Sequence, residues 1–330
     1  MDRDSACRIL VVRQAIILSR TGKGASYVIK NTLPHIVIAA AAVAVGVGLD
    51  ASRPLSAAET TVAALAKETH FHGLAVDPQD PSRLHLATHH GLYVADATGV
   101  ARQVSESKDD FMGFTPHPSD PAVLFASGHP AGGGNLGFIA SRNGGRSWSK
   151  LSAGVGGPVD FHQMDVSKAD PQVLYGVYGD LQKSKDGGRT WARVGPAPEG
   201  LIGLAASSRD PETLYAATRQ GLLKSTDGGR VWNAAHLLRR PVTMVHVTRN
   251  GDVYAFVVGT GLIRTSENPL LWQTVSNSFG GKYVLHLAAA PAGTQRHYAV
   301  TIDPQTHEQA VLVSRDNGMT WLDLADDRPK

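Results

Sequence analysis

The side chains of this sequence with most chemical potential are imidazoles and carboxylates. His70-x-His72, His89-His90, His129 and His162 share one stretch of the chain with Asp110, Met112 and Asp160. Imidazole, carboxylate and thioether are all metal-ligand groups, and neutral His with Asp or Met suits zinc or copper. Asp110 and Asp160 would also serve as the two carboxyl groups a glycosidase needs on either side of a scissile bond. Each signal is weak alone. A His-x-His pair is common, a methionine such as Met112 is often a packing residue, and a lone polar residue on a wet wall often only hydrogen-bonds water. These residues become a site only if the fold gathers them.

The elements that would position them are repeats, and internal periodicity is the first thing to read because it decides the fold. One motif is a turn running into an apolar strand: Asp80-Pro81-Ser82-Arg83-Leu84-His85, then Asp120-Pro121, Asp170-Pro171 and Asp210-Pro211 in the same setting. Gly251-Asp252-Val253-Tyr254 and Arg296-His297-Tyr298 continue it in weaker form, giving six units. A second motif, S-x-D-x-G-x-[ST/V]-W, lies later in the units at Ser184–Trp191, Ser225–Trp232 and Ser314–Trp321. Ser141–Trp148 carries Asn143 in the Asp place, Ser266–Trp272 is a shortened copy, and the first unit lacks the motif. The spacing is local chemistry: Ser and Asp bind backbone amides of a hairpin turn, Gly takes a positive φ, and Trp packs back between neighbouring sheets.

The chain therefore resembles the Asp-box (BNR) repeat propellers of the sialidase-like superfamily and, more loosely, photosystem II assembly-factor propellers. The resemblance covers nearly all of residues 69–325 and implies an all-β, six-bladed β-propeller of four-stranded antiparallel blades. In the first unit the strands are expected at 70–77, 83–89, 91–96 and 100–105, and the sixth keeps four strands of its own. Residues 59–68 are left over, as a linker or an extra edge strand, and 69–330 form the propeller.

Register then places the candidate site. Strand A of each blade lines the central channel, and the start of A meets the end of B at one mouth. Aligned on their turns, the six A strands put Asp110, Asp160, Gly200, Pro241 and Tyr283 in the column of His70. Met112, His162, Ile202, Thr243 and Leu285 fall in the column of His72. Residues two apart share a face, so blades one to three present His70, His72, Asp110, Met112, Asp160 and His162 on one side of the mouth. The B-strand ends add His89, His90 and His129, with Tyr178, Asp180 and Arg219 from later blades. The metal set expected within this half-ring is His70, His72, Met112 and His162, with copper or zinc as the ion. Plain alternation aims His246 and His286 away from the channel.

Composition limits the rest. With 330 residues, 42% of them hydrophobic and 18% charged, the chain is globular rather than disordered. One cysteine excludes a disulfide framework and any multi-cysteine metal site. The formal charge of +3 belongs to the leader, whose first 35 residues hold six Lys/Arg against two Asp. The remainder is near neutral and offers no footprint for nucleic acid.

Residues 1–58 read as that leader. The apolar run at 36–49 follows a basic segment and precedes the small residues Ser56-Ala57-Ala58, the pattern of an export signal, either cleaved or retained as a membrane anchor. The chain is thus expected to be exported, periplasmic or extracellular, and monomeric. It would be a binding protein that holds a small ligand, a metal ion or an exported protein segment at the His/Asp/Met mouth. The alternative is a glycoside hydrolase acting through Asp110 and Asp160. A standard sialidase does not fit, because the Arg-Ile-Pro signature and the arginine trio are missing and only Arg219 lies near the mouth. An assembly-factor-like scaffold is the third reading, weakened by the absence of a basic patch.

Overall fold

The computed structural model of the chain describes residues 59–290 and 294–326. The expected export signal lies outside them. Among the described residues, no helix is long and apolar enough to cross a membrane.

Six antiparallel sheets follow one another along the chain, each with four consecutive strands paired in sequence order. Strands A to D of blade one are Phe71–Val76, Leu84–Thr88, Gly91–Ala95 and Val100–Gln103. The A strands of blades two to six are Asp110–Pro116, Gln163–Val166, Leu201–Ala206, Val242–Val247 and Tyr283–Ala289. Each A strand neighbours the next, and that of blade six returns to that of blade one, so the sheets form a closed six-bladed propeller.

The Asp-Pro turns form because the Asp side chain substitutes for a backbone partner. Asp80, Asp120, Asp170 and Asp210 each accept at Oδ1 from the amide two residues on, at 3.0 Å in every case. The second motif is equally local. Ser184 Oγ donates to Asp186 Oδ1 at 2.8 Å and accepts from the Gly188 amide at 2.8 Å, while Asp186 Oδ1 accepts from the Thr190 amide at 2.9 Å. Trp191 Nε1 closes the turn on the Gly188 carbonyl at 3.1 Å. The Ser141, Ser225 and Ser314 turns repeat these bonds. Each Trp then wedges between blades, as where Trp191 meets Phe138 of blade two and Phe161 before strand A of blade three. These residues build turns.

Blade contacts also run through buried tyrosines of the B strands. Tyr175 donates to the Pro211 carbonyl of the next blade at 2.8 Å, and Tyr298 of blade six donates to Pro81 of blade one at 3.0 Å. Residues 59–68 add a short strand, Glu59–Thr61, to the outer edge of blade one, and a helix, Val62–Glu68, capped by Thr61. Val62 and Leu65 of the helix are buried in one cluster with Leu84 of blade one and Tyr298, Val311 and Leu324 of blade six.

Candidate functional site

Strand A of five blades starts with a β-bulge, at Phe71/Gly73, Met112/Thr115, Leu201/Gly203, Val242/Met244 and Val284/His286. A bulge sets two residues against one and shifts the alternation beyond it. This device corrects the sequence reading at two residues. His246 and His286 lie beyond their bulges and line the central cavity of about 570 Å³, together with His85, Gln163, Asp165 and Met244. Burial, assisted by Lys168 and His297, pushes the His246 imidazole down to about 3. Burial likewise lowers His286 to about 4, against an opposing hydrogen bond with the Phe71 backbone.

At the mouth the candidate side chains resolve into two groups of three. In the first, His72 Nε2 lies 3.0 Å from His89 Nε2, and His89 Nδ1 lies 2.8 Å from Asp110 Oδ2. With the carboxylate as acceptor, His89 carries its proton on Nδ1, which leaves Nε2 to accept from His72. The His72 and His89 rings meet edge to face at 4.1 Å. Burial, followed by the neighbouring His89, His286, His162 and His70, holds the His72 imidazole well below its ordinary value and therefore neutral.

In the second group Asp160 Oδ2 lies 2.6 Å from His162 Nε2 and 3.1 Å from His129 Nε2. The Asp160 side chain is 8% exposed, whereas His129 and His162 are open to solvent. The hydrogen bond to Asp160, opposed by burial, raises His162 above its ordinary value. Within each group the ligand atoms all lie within 4.8 Å of one another.

Of the other candidates, His70 and His90 lie beside the first group. His70 packs its ring 5.7 Å from that of His89, and burial lowers its pKa. His90 lies 6.4 Å, ring to ring, on the other side of His89. Met112 is 7% exposed and belongs to the core of blade two. Tyr178 is at the rim and accepts from Asn135 Nδ2 at 3.2 Å, a contact with a blade-two loop. Arg219 donates its backbone amide to Gly200 O, tying the end of strand B to the start of strand A in blade four. The single metal set expected from the sequence is thus divided, with His72 in one group and His162 in the other.

No protein-family model matches the sequence. A probable oligoxyloglucan-reducing end-specific xyloglucanase of Neosartorya fischeri is 25% identical over 248 residues, which span 63% of this chain and 30% of that protein. The chain therefore spans less than a third of the length of that curated relative. A GH74 xyloglucanase from Xanthomonas campestris superposes with a TM-score of 0.50 at 18% identity, over 81% of this chain and 46% of that one. A gluconolactonase, also from Xanthomonas campestris, gives a TM-score of 0.54 at 15% identity, over 74% of this chain and 86% of that one. These structural likenesses concern the propeller fold, which hosts many unrelated activities.

Proposed function

We propose that this chain is an exported binding propeller that holds its ligand at the mouth formed by blades one to three. The observation that carries the reading is the convergence of His70, His72, His89, Asp110, His129, Asp160 and His162, contributed by three blades, on one rim. Such a surface offers imidazole nitrogens and carboxylate oxygens to a ligand, while the closed ring keeps them in place. The self-contained Ser/Asp/Trp turns are in keeping with an Asp-box propeller as the carrier.

A panel of zinc chloride, copper(II) chloride and xyloglucan oligosaccharides, read by thermal unfolding, tests this. A ligand that binds only the folded state at a hundred times its Kd stabilises it by about 2.7 kcal/mol. At least one member should raise the Tm of the native chain by several degrees and leave an Asp110→Asn/Asp160→Asn variant unmoved. Equal shifts in both proteins, or none in either, would defeat the assignment of the mouth.

The second reading is a glycoside hydrolase, and the similarity to a probable xyloglucanase favours it over sialidase chemistry. It has more support from the comparisons than the binding reading, which rests on geometry. Asp110 and Asp160 are the carboxyl groups that would act as the acid/base pair, Asp110 oriented by His89 and Asp160 by His129 and His162. General acid–base groups contribute roughly 10²–10⁴-fold, so release of sugar from xyloglucan oligosaccharides or chromogenic glycosides should fall by that factor in Asp110→Asn. Turnover indifferent to both Asp→Asn changes would remove the pair from consideration.

A further inference from the structure

We infer that the mouth holds two divalent transition-metal ions, one bound by His72, His89 and Asp110 and the other by His129, Asp160 and His162. The inference rests on the binding reading above and names the class of ligand.

Each group supplies two imidazole nitrogens and one carboxylate, the donor set that suits zinc(II) or copper(II) in the absence of thiolate. Two donors bound about 2.1 Å from one ion at a tetrahedral angle lie about 3.4 Å apart. Of the separations between ring nitrogens and carboxylate oxygens, 2.8 Å in the first group and 2.6 and 3.1 Å in the second are hydrogen-bonded contacts shorter than that value, and 3.8 Å in the first group is longer. To seat an ion the hydrogen-bonded pairs would open and the His72–Asp110 pair would close, with all the donor atoms of each group already within 4.8 Å of one another.

Independent support comes from the carboxylates. Asp110 Oδ1 and Asp160 Oδ1 are both buried and have no hydrogen-bond partner. A buried, unsatisfied carboxylate oxygen is costly, and a bound cation next to it would offset that cost. In both groups one carboxylate oxygen is hydrogen-bonded to imidazole, Asp110 Oδ2 to His89 and Asp160 Oδ2 to His129 and His162, while the other has no hydrogen bond.

Three protein ligands leave a fourth tetrahedral position open, as in sites that exchange or bind a further ligand rather than closed structural sites. The two sites are neighbours, because Asp110 of the first is the direct cross-strand partner of His129 of the second. Two dications so placed repel, so the second ion binds more weakly than the first.

The test uses the full chain, stripped with EDTA and titrated with zinc chloride by calorimetry, with bound metal counted after desalting. A copper(II) titration followed by electron paramagnetic resonance reports the nitrogens on each ion. The native chain should take up two ions in two steps, with two nitrogen couplings per copper. His89→Asn and His162→Asn alter solvent-open side chains, so folding should survive, and each should bind one ion; the double variant should bind none. One ion per native chain, lost in either variant, would replace the two sites by one shared site and leave the binding reading intact. Two ions undiminished by the variants would place the metal elsewhere. No uptake of either metal, together with an oligosaccharide shift that Asp110→Asn abolishes, would overturn the metal inference alone. No uptake and no shift from any probe would overturn the reading beneath it as well.

Discussion

Asp110 and His129 face each other directly across strands A and B of blade two, yet they serve different groups at the mouth. Asp110 reaches back to His72 and His89 of blade one, and His129 reaches forward to Asp160 and His162 at the start of blade three. Blade two is therefore the shared wall of both groups. A shift of its strand A relative to strand B disturbs both at once.

The half-buried histidines of the channel make stability depend on pH. His246 and His286 stay neutral in the folded state down to about 3 and about 4, whereas both take up a proton near 6.5 once unfolded. Above 6.5 they contribute nothing to the pH dependence. As pH falls from 6.5 to about 4 the unfolded state binds more protons, and folding free energy is lost at up to about 1.4 kcal/mol per pH unit for each group. Urea unfolding in EDTA at pH 7.5, 5.5 and 4.5 should show this slope, and a His246→Gln/His286→Gln variant should flatten it. Parallel curves for the two proteins would show that the channel imidazoles do not control it.

Ser184→Ala tests whether the Ser/Asp/Trp turns carry stability. The change leaves the buried Gly188 amide without its acceptor and removes the bond that orients Asp186. A loss of about 1–3 kcal/mol is expected from an orphaned buried donor. Ligand affinity at the mouth should be unchanged, since the turn takes no part in it. An affinity change in step with the stability loss would contradict that separation.

Two glycines of these turns separate backbone strain from packing. Gly144 and Gly188 have φ of 69° and 85°, but a Cβ on Gly144 meets open space while one on Gly188 would fall 1.9 Å from Phe138 Cε1. Gly144→Ala should cost only the left-handed penalty, about 1–2 kcal/mol. Gly188→Ala adds overpacking of about 1–3 kcal/mol. Equal midpoints in denaturant for the two variants would mean that the Phe138 contact is not what fixes this glycine.

Leu65→Ala probes the seam between blades six and one. Leu65 is 2% exposed and packs among residues of both blades, so truncation should cost about 2–5 kcal/mol. Native-state hydrogen exchange should quicken first in strands Leu84–Thr88 and Gln309–Ser314, which flank it. Uniform acceleration around the ring would show that the helix is no special clasp.

The sequence made the blades legible because their signals are local. The Asp80 and Asp186 turns satisfy their partners within four residues, so spacing alone discloses them. Column alignment put His70, His72, Asp110, Asp160 and His162 together, and in the structure these residues lie at or just before the first residues of their A strands. It failed for His246 and His286, because the bulge is a backbone event with no fixed residue signature. The division of the histidines into two groups was hidden for another reason. Whether His89 turns toward His72 or His129 toward Asp160 depends on loop geometry at the ends of the B strands, which periodicity does not encode. Nothing in the described contacts links Arg219 to either group.

The seam between the last and first blades has a topological consequence. Ala325 lies against Gly99, whose carbonyl receives the Val62 amide, so both ends of the folded ring arrive at one spot on the rim of blade one. The hydroxyl-to-proline link across that junction repeats the one joining blades three and four. A covalent tie from the region after Ala325 to that before Glu59 would make the polypeptide a loop without a preferred origin. New termini opened in an exposed turn between other blades would then leave the same ring, with the mouth undisturbed.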